Sequence, residues 1–270
     1  MVTVGYGQFE VVFGEWQRNA DAASRLVEAH PEADLLVLPE LAFTGYDFVD
    51  AAELAELAEP FGEGATATLL RSLSRDLNMV LVAGYAEAAG ERFYNSALVA
   101  LPDGTLHNYR KIHLFNREKE LFTAGDDAPP VFTTPAGRLG VMICFDWFFP
   151  ETARCLALGG AHIIAHPSNL VLPWCQQAMF ARSLENRVFT ITANRTGTEA
   201  RAGRTLTFTG GSQVLHPMGR CLVRAGEAEA AVGLTDIEPS EADDKNVAGL
   251  NDLWADRRPA LYSALREGAD

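Results

Sequence analysis

The amino-acid sequence predicts an α/β fold with mixed sheets, in which two sheets pack face to face with helices outside. Short apolar runs of strand length alternate with longer amphipathic segments in the first third of the chain. In the middle, strand-like runs follow one another without a helix between them, which is typical of antiparallel pairs. The strands are too many for one simple βαβ ladder, and two layers of sheet accommodate them.

The predicted elements begin with a strand over Val2–Gln8, where apolar and small residues alternate, and a helix over about residues 15–30. A continuous apolar run over residues 35–38, after Asp34, is typical of a strand buried on both faces. A second helix is predicted over Ala65–Leu77. Strands follow at about residues 79–85, 93–101 and 106–111, the last two joined by the turn Pro102-Asp103-Gly104.

The second half continues with a short apolar strand and then a helix that begins at Pro150 and runs to about Leu158. We also predict a strand at 162–166, a helix at 173–187, a strand at 188–193, and three strands between 211 and 237 with a hairpin at 216–219. No repeat or Pro/Ser-rich linker divides the sequence. We therefore expect one domain over residues 1–270, with a C-terminal tail from about residue 246 that holds only a short helix near 258–266.

Composition excludes several classes of function. The net charge of −14 disfavours binding to nucleic acid or to an anionic membrane. No run of eighteen apolar residues is present, so we expect no membrane span. The four cysteines are scattered, with no Cys-x-x-Cys pair and no metal-ligand spacing. This pattern predicts a reducing cytoplasm, without a disulfide framework and without a metal.

Three polar residues follow predicted strands: Glu40, Lys111 and Cys144. In α/β folds the carboxyl ends of strands are where side chains converge on ligands. A carboxylate, an ammonium and a thiol are a complete set for acyl transfer, because the thiol must lose a proton before it attacks and the ammonium can hold an oxyanion. A buried thiol after a strand is also a common core residue, so spacing alone leaves both interpretations open.

Five stretches, which occur in order along nearly the whole chain, resemble the nitrilase superfamily of carbon–nitrogen hydrolases, and in particular its amidase-like branch. They are LLVLPELAFTGY around Glu40, YRKIHLF around Lys111, GRLGVMICFDWFFPE around Cys144, HPSNLVLP at residues 166–173, and ARSLENRVFTITANRTG at residues 181–197.

The resemblance implies a Glu-Lys-Cys triad of Glu40, Lys111 and Cys144, with the Phe145 backbone N–H as a second oxyanion donor. It also implies a second glutamate near the lysine, for which NREKELF offers Glu118 and Glu120; similar members favour Glu118. The implied fold is a four-layer α-β-β-α sandwich. The implied assembly is a homodimer or larger homo-oligomer, formed through the helix after the cysteine, with no cofactor.

The expected reaction is hydrolysis of a small aliphatic amide to a carboxylic acid and ammonia through a thioester. The pair Phe145-Asp146 resembles amidase-like members, whereas true nitrilases tend to have Trp-Glu there. Nitrile hydrolysis and N-carbamoyl or omega-amide hydrolysis remain alternatives, and Arg195 is a candidate cation for an acidic substrate. Tyr46 and Trp174 are candidate substrate-binding residues, because aromatic side chains suit a small apolar acyl group.

Two further alternative functions remain. A papain-like Cys–His enzyme would use His113, His162 or His166 as base, although no local signature of that class surrounds Cys144. A catalytically inactive binding or scaffold protein on the same fold is the rival of another class. The intact Glu40 and Lys111 argue against it.

Overall fold

Two mixed β-sheets lie face to face at the centre of the computed structural model, which describes residues 1–265. The strands are β1 (Val2–Gln8), β2 (Leu35–Val37), β3 (Glu59–Pro60), β4 (Val80–Ala89), β5 (Arg92–Ala100), β6 (Leu106–Arg110), β7 (Val131–Thr134), β8 (Gly137–Val141), β9 (Ile163–Pro167), β10 (Phe189–Ala193), β11 (Thr198–Arg201), β12 (Arg204–Thr207), β13 (Gln213–Leu215), β14 (Cys221–Arg224), β15 (Ala231–Ile237), β16 (Asn246–Ala248) and β17 (Asn251–Asp252). The helices are α1 (Trp16–Glu28), α2 (Ala51–Leu57), α3 (Ala65–Leu77), α4 (Glu118–Leu121), α5 (Pro150–Leu158) and α6 (Cys175–Asn186).

Each large sheet has parallel strands at its centre and antiparallel strands at its edges. The first has the order β15-β1-β2-β4-β5-β6, with β3 beside β4, and β1, β2 and β4 are parallel. The second has the order β14-β13-β10-β9-β8-β7, and β8, β9 and β10 are parallel. Glu40 lies in the loop that follows the carboxyl end of β2, and Cys144 lies just after the carboxyl end of β8.

Side chains that alternate between the two faces of each strand separate the apolar layers of the fold. In β2, Leu35 and Val37 pack in the core between the two sheets, whereas Leu36 packs on the opposite face against α1 and α3. Successive side chains of a strand point to opposite faces, so a fully apolar strand serves two cores at once. Helices α5 and α6 cover the outer face of the second sheet. The four-layer α-β-β-α sandwich is confirmed.

The helices follow the predicted periodicity closely. Helix α1 buries Ala20, Ala23 and Val27, which recur every three or four residues, and α3 spans the predicted residues. Helix α3 ends at Asn78, whose φ of 53° is left-handed, a conformation that Asn tolerates better than most residues. Among residues 1–265, no helix has both the length and the apolar character needed to cross a membrane.

The apolar stripe of α5 belongs to the core of this chain. Its members, together with one residue just after the helix, are at most 2% exposed: Ala153, Leu156, Ala157 and Ala161. Gly140 on β8 explains the close packing, because a Cβ there would lie 2.9 Å from Leu156 Cδ2. A homodimer face would therefore have to use other residues.

Several short elements escaped sequence prediction. The hairpin of β11 and β12 has only four residues in each strand, and it turns through Ala202 and Gly203, both at positive φ. Long-range contacts, rather than an apolar pattern, hold it. The helix predicted near residues 258–266 is wrong over its described part, where two 3-10 turns, Pro259–Leu261 and Ser263–Leu265, replace it. No apolar stripe of these residues is buried, so nothing favours a longer helix; residue 266 lies outside the described residues.

Candidate active site

Glu40, Lys111 and Cys144 lie together between the sheets. Glu40 follows β2, Lys111 directly follows β6, and Cys144 follows β8; their side chains are 0%, 0% and 6% exposed. Gly84 on β4 allows the Glu40 loop to lie close, because a Cβ at residue 84 would be 2.4 Å from Glu40 Cα. The Gly84 N–H donates to the Pro39 carbonyl at 2.9 Å and fixes this loop.

The Lys111 ammonium lies between two buried carboxylates. Its Nζ donates to Glu40 Oε1 at 2.7 Å and to Glu118 Oε1 at 2.9 Å. Burial alone would lower the pKa of Lys111, but the charges of Glu118 and Glu40 outweigh it, so the pKa lies above its ordinary value. The lysine is therefore held as a cation, which suits a group that stabilises an oxyanion.

Glu118, and not Glu120, contacts the lysine. The Glu118 carboxylate also accepts from the Tyr46 hydroxyl at 2.7 Å and from the Phe115 N–H at 3.2 Å, so three donors hold it. The Glu120 side chain is 65% exposed and pairs with Arg117 at the surface. Tyr46 reaches the site through this contact with Glu118.

Glu40 retains one oxygen without a partner. Its Oε1 accepts from Lys111 and, at 2.6 Å, from Asn95 Nδ2, whereas Oε2 has no hydrogen-bond partner among residues 1–265. Burial raises the pKa of Glu40 above its ordinary value, against the opposing effect of Lys111. An unpaired, buried carboxylate oxygen is costly unless something binds to it, which is expected of a general base.

Cys144 begins a 3-10 helix, Cys144–Phe148, with a φ of 39°. The first N–H groups of a helix have no acceptor within it, so the Phe145 N–H is available next to the thiol. Burial and the Glu40 charge raise the pKa of the Cys144 thiol well above its ordinary value, although Lys111 and the Asn169 N–H act in the opposite direction. The thiol is consequently neutral at rest and needs a base to become a nucleophile.

Asp146 links the cysteine turn to the lysine segment. Its side chain is fully buried and accepts from the Ile143 N–H at 2.9 Å, the Tyr109 hydroxyl at 2.8 Å and the His113 N–H at 3.1 Å. Sequence reasoning used Asp146 only to separate amidases from nitrilases and missed this role. Its position two residues after the cysteine was the one local signal.

The histidines contact other groups than the Cys144 thiol. His166 Nε2 lies 2.9 Å from the Cys144 carbonyl oxygen, and its Nδ1 faces Thr192 Oγ1. Burial lowers the pKa of His166 to about 4, so the ring is neutral and donates to the carbonyl. His113 contacts Asp146, and His162 contacts Asp243 at the surface. No histidine among residues 1–265 is placed as the partner of the thiol that a Cys–His enzyme needs.

The cleft over Cys144 is narrow, with a volume of about 30 Å³, and is mainly apolar. It is lined by Phe115, Cys144, Phe145, Trp147, Phe148, Asn169, Leu170, Val171 and Leu172. An adjoining pocket shares Phe115 and Val171 and contains Tyr46 and Glu118. Trp174 lies outside both pockets, just before α6, and is 56% exposed.

Arg195, the candidate cation for an acidic substrate, is fully buried in an ion pair. Its guanidinium donates to Glu199 and to the Val11 carbonyl. Glu199 in turn accepts from the N–H groups of Tyr46 and Asp47, so the pair supports the loop that carries Tyr46. Among residues 1–265, no cluster of three or more His, Cys, Asp or Glu side chains is arranged to hold a metal ion.

Comparisons with known proteins identify the family of the chain. The family model described as carbon–nitrogen hydrolase matches residues 4–245. The chain is 46% identical to a nitrilase of Pyrococcus abyssi over 264 residues, which covers 97% of this chain and 99% of that one. It is 37% identical to an (R)-stereoselective amidase of Pseudomonas sp. over 201 residues, covering 73% and 71%.

The fold is also similar to a solved amidase structure from Nesterenkonia sp., with a TM-score of 0.82 and 27% identity over 98% of this chain and 96% of that one. The chain is therefore similar in sequence to relatives with nitrilase and amidase names, and similar in fold to a solved amidase. This chain belongs to the carbon–nitrogen hydrolases of the nitrilase superfamily.

Proposed function

We propose that the chain hydrolyses a small aliphatic amide to a carboxylic acid and ammonia, with Cys144 as nucleophile. One observation carries the proposal. Glu40, whose Oε2 is unpaired, and the Lys111 ammonium that it binds both act electrostatically on the buried Cys144 thiol, which supports roles as base and oxyanion donor. The narrow, apolar lining of the cleft suits a small acyl group rather than a large one.

In the first half of the reaction, Glu40 takes the proton of the Cys144 thiol, and the sulfur adds to the amide carbon. The charge that develops on the carbonyl oxygen is stabilised by Lys111 and the Phe145 N–H. Glu40 then gives its proton to the amide nitrogen. The carbon–nitrogen bond breaks, ammonia leaves, and a thioester on Cys144 remains.

In the second half, Glu40 takes a proton from water and the hydroxyl adds to the thioester carbon. The carbon–sulfur bond breaks, the carboxylic acid leaves, and the proton returns to sulfur. Glu118 takes no part in bond making. Its contacts with Lys111 and Tyr46 keep the ammonium in place through both halves.

Nitrile hydrolysis on the same residues is the second candidate. The name of the Pyrococcus abyssi relative favours it, whereas the Pseudomonas and Nesterenkonia relatives are named amidases. Omega-amides and N-carbamoyl amino acids are less well supported, because Arg195 is paired with Glu199, and Arg204 in the adjoining pocket is paired with Asp47.

The test measures ammonia release from a panel of short primary amides and the matching nitriles, with Cys144→Ala in parallel. We expect release from the amides, lost in the variant, and an acyl adduct on Cys144 by intact-protein mass spectrometry after rapid quenching. Hydroxylamine in place of water should yield the hydroxamic acid. Comparable rates on nitriles would make the chain a nitrilase. An unreactive thiol with no turnover would favour the scaffold interpretation.

We also propose that the chain acts as a homodimer or larger homo-oligomer. Trp174, Ala181 and Leu184 recur at helical spacing on the exposed face of α6, and Met218 and Val247 are also exposed large apolar residues. An apolar stripe of this kind is suited to a second copy. Light scattering on the chain and on Leu184→Glu tests the pairing, and a monomer in both would contradict it.

A reducing compartment such as the cytoplasm is the setting that we propose for the chain. All four cysteines are free, and two of them, Cys155 and Cys221, are exposed. Exposed free thiols are better preserved where the surroundings are reducing.

A further inference from the structure

A second buried polar group borders the reacting thiol. Asn169 follows β9 by two residues, is 2% exposed and lines the cleft with Cys144. Its Nδ2 and Oδ1 both lack a hydrogen-bond partner among residues 1–265. Burying an unpaired carboxamide destabilises a fold, so a structural role does not account for this residue.

The backbone around Asn169 is held by other groups. The Ser168 N–H donates to the Ala193 carbonyl at 2.9 Å, and the Leu170 N–H donates to Asn194 Oδ1 at 2.8 Å. The Asn169 N–H lies near enough to the Cys144 thiol to lower its pKa, and the two residues line the same cleft. The residue is therefore fixed beside the sulfur by its backbone, while its side chain remains free to bind something else.

A primary amide presents one acceptor and two donors to this cleft. In the proposed reaction its carbonyl oxygen is bound by Lys111 and the Phe145 N–H. Its two N–H groups need acceptors, and the unpaired Glu40 Oε2 provides one. Of the residues that line the cleft, Asn169 is the one with a side-chain carbonyl; the others are apolar, apart from Cys144.

We infer that Asn169 Oδ1 accepts a hydrogen bond from the –NH2 group of the substrate, and so makes the site selective for a primary amide over an ester with the same acyl group. This inference rests on the proposed function and identifies the residue that recognises the leaving group. A site built to bind an N–H discriminates against an analogue that lacks it, because the buried acceptor is then left unpaired. Nδ2 remains available for the carbonyl side of the same ligand.

The test compares kcat/KM for propionamide and methyl propionate, which share the acyl group and differ in the leaving group. In Asn169→Leu we expect the amide-to-ester ratio to fall about tenfold, the effect of one neutral hydrogen bond. A ratio within about twofold of the unmodified chain would overturn the inference. Should the leucine variant not fold, Asn169→Ser provides the same comparison with a smaller side chain.

Asn186→Leu is the matched control. Asn186 is also fully buried with an unpaired Oδ1, but it lies at the end of α6 and does not line the cleft. We expect this change to leave the amide-to-ester ratio unaltered. A fall equal to that of Asn169→Leu would mean that any buried Asn has this effect, and would contradict the inference.

A second readout separates failure of the inference from failure of the proposed function. Alkylation of Cys144 by iodoacetamide and by methyl iodoacetate, followed by intact mass, needs no turnover. A lower iodoacetamide-to-ester rate ratio in Asn169→Leu supports the contact even if the unmodified chain hydrolyses neither propionyl substrate. That result would contradict the proposed function but not the inference about Asn169. An unaltered ratio in both assays overturns the role of Asn169 while amide hydrolysis by the unmodified chain still stands.

Discussion

The Tyr109 hydroxyl donates a hydrogen bond of 2.8 Å to Asp146 Oδ2. Tyr109 lies in β6 of the first sheet, two residues before Lys111, and Asp146 lies after β8 of the second sheet, two residues after Cys144. The bond therefore joins the two sheets at the point where the ammonium and the thiol meet. His113 strengthens the same connection, because its N–H donates to the other oxygen of Asp146.

We expect Asp146→Asn to lower kcat by about 10- to 100-fold, because a small displacement of a reacting group has effects of that size. The single amide oxygen cannot serve both the Ile143 and Tyr109 donors on one side and the His113 N–H on the other, because the amide NH2 group only donates. The free energy of unfolding should fall by about 1–3 kcal/mol through the unpaired donors. Steady-state kinetics and urea unfolding measure the two effects.

Tyr85→Phe is the control for a Tyr109→Phe variant. Tyr85 is likewise a buried tyrosine of the first sheet, but its hydroxyl contacts Asn108, away from the cysteine turn. We expect Tyr109→Phe to lower kcat and Tyr85→Phe to leave it within about twofold, since the Tyr85 hydroxyl bonds to Asn108 and not to Asp146. Equal effects of the two changes would contradict a specific link through Asp146.

Glu118→Gln should lower kcat by about 100-fold or more, because it removes one of the two carboxylates that hold the Lys111 ammonium. Glu120→Gln is the matched control two residues away. Its side chain is 65% exposed, so we expect a change of less than about twofold. Kinetics on the preferred amide test the pair. If Glu120→Gln were the more damaging change, the assignment of Glu118 would be wrong.

His166→Gln should reduce kcat far less than Glu40→Gln does. His166 donates to the Cys144 carbonyl, and its pKa of about 4 makes it a poor base at neutral pH. Loss of the Glu40 base is expected to lower kcat by about 10²- to 10⁴-fold. A reversed order, with His166→Gln inactive and Glu40→Gln active, would establish the Cys–His alternative.

The rate should depend on pH through Glu40. Burial raises the pKa of this carboxyl above 4.5, and the general base acts as the anion. Activity is therefore lost as the pH falls through that raised pKa, so the acid limb of kcat/KM should lie above pH 4.5. The pKa of Lys111 lies above 10.5, so the loss of its charge should not lower the rate below about pH 10.

Glu118→Gln offers a check on this assignment. The Glu118 charge is one of the causes that raise the pKa of Glu40, so its removal should move the acid limb to lower pH. A limb that moved to higher pH would show that another group controls it.

Local sequence signals placed the main elements well. The apolar run before Glu40 and the strand before Cys144 predict buried strands; the first lies at the centre of its sheet and the second lies next to an edge strand. Helix periodicity predicted α3 because its buried residues recur within one segment. Such patterns are visible in sequence because they depend on neighbours along the chain.

Other features depend on contacts that are remote in sequence. The hairpin of β11 and β12 lacks an apolar pattern, and ion pairs such as that of Arg201 with Glu53 hold it. The placement of Trp174 also went beyond sequence reasoning. An aromatic residue before a helix reads the same whether it faces a pocket or, as here, solvent.

The sequence by itself determined the family, the order of the elements and the residue types needed for acyl transfer, because these are written in short contiguous segments. Only the tertiary structure decided that Glu118 rather than Glu120 meets Lys111, that Asp146 joins the two sheets, and that Asn169 is unpaired beside the thiol. Each of these depends on which side chains two separate sheets bring within hydrogen-bond distance, and the register of the packing between them is not encoded in any local pattern.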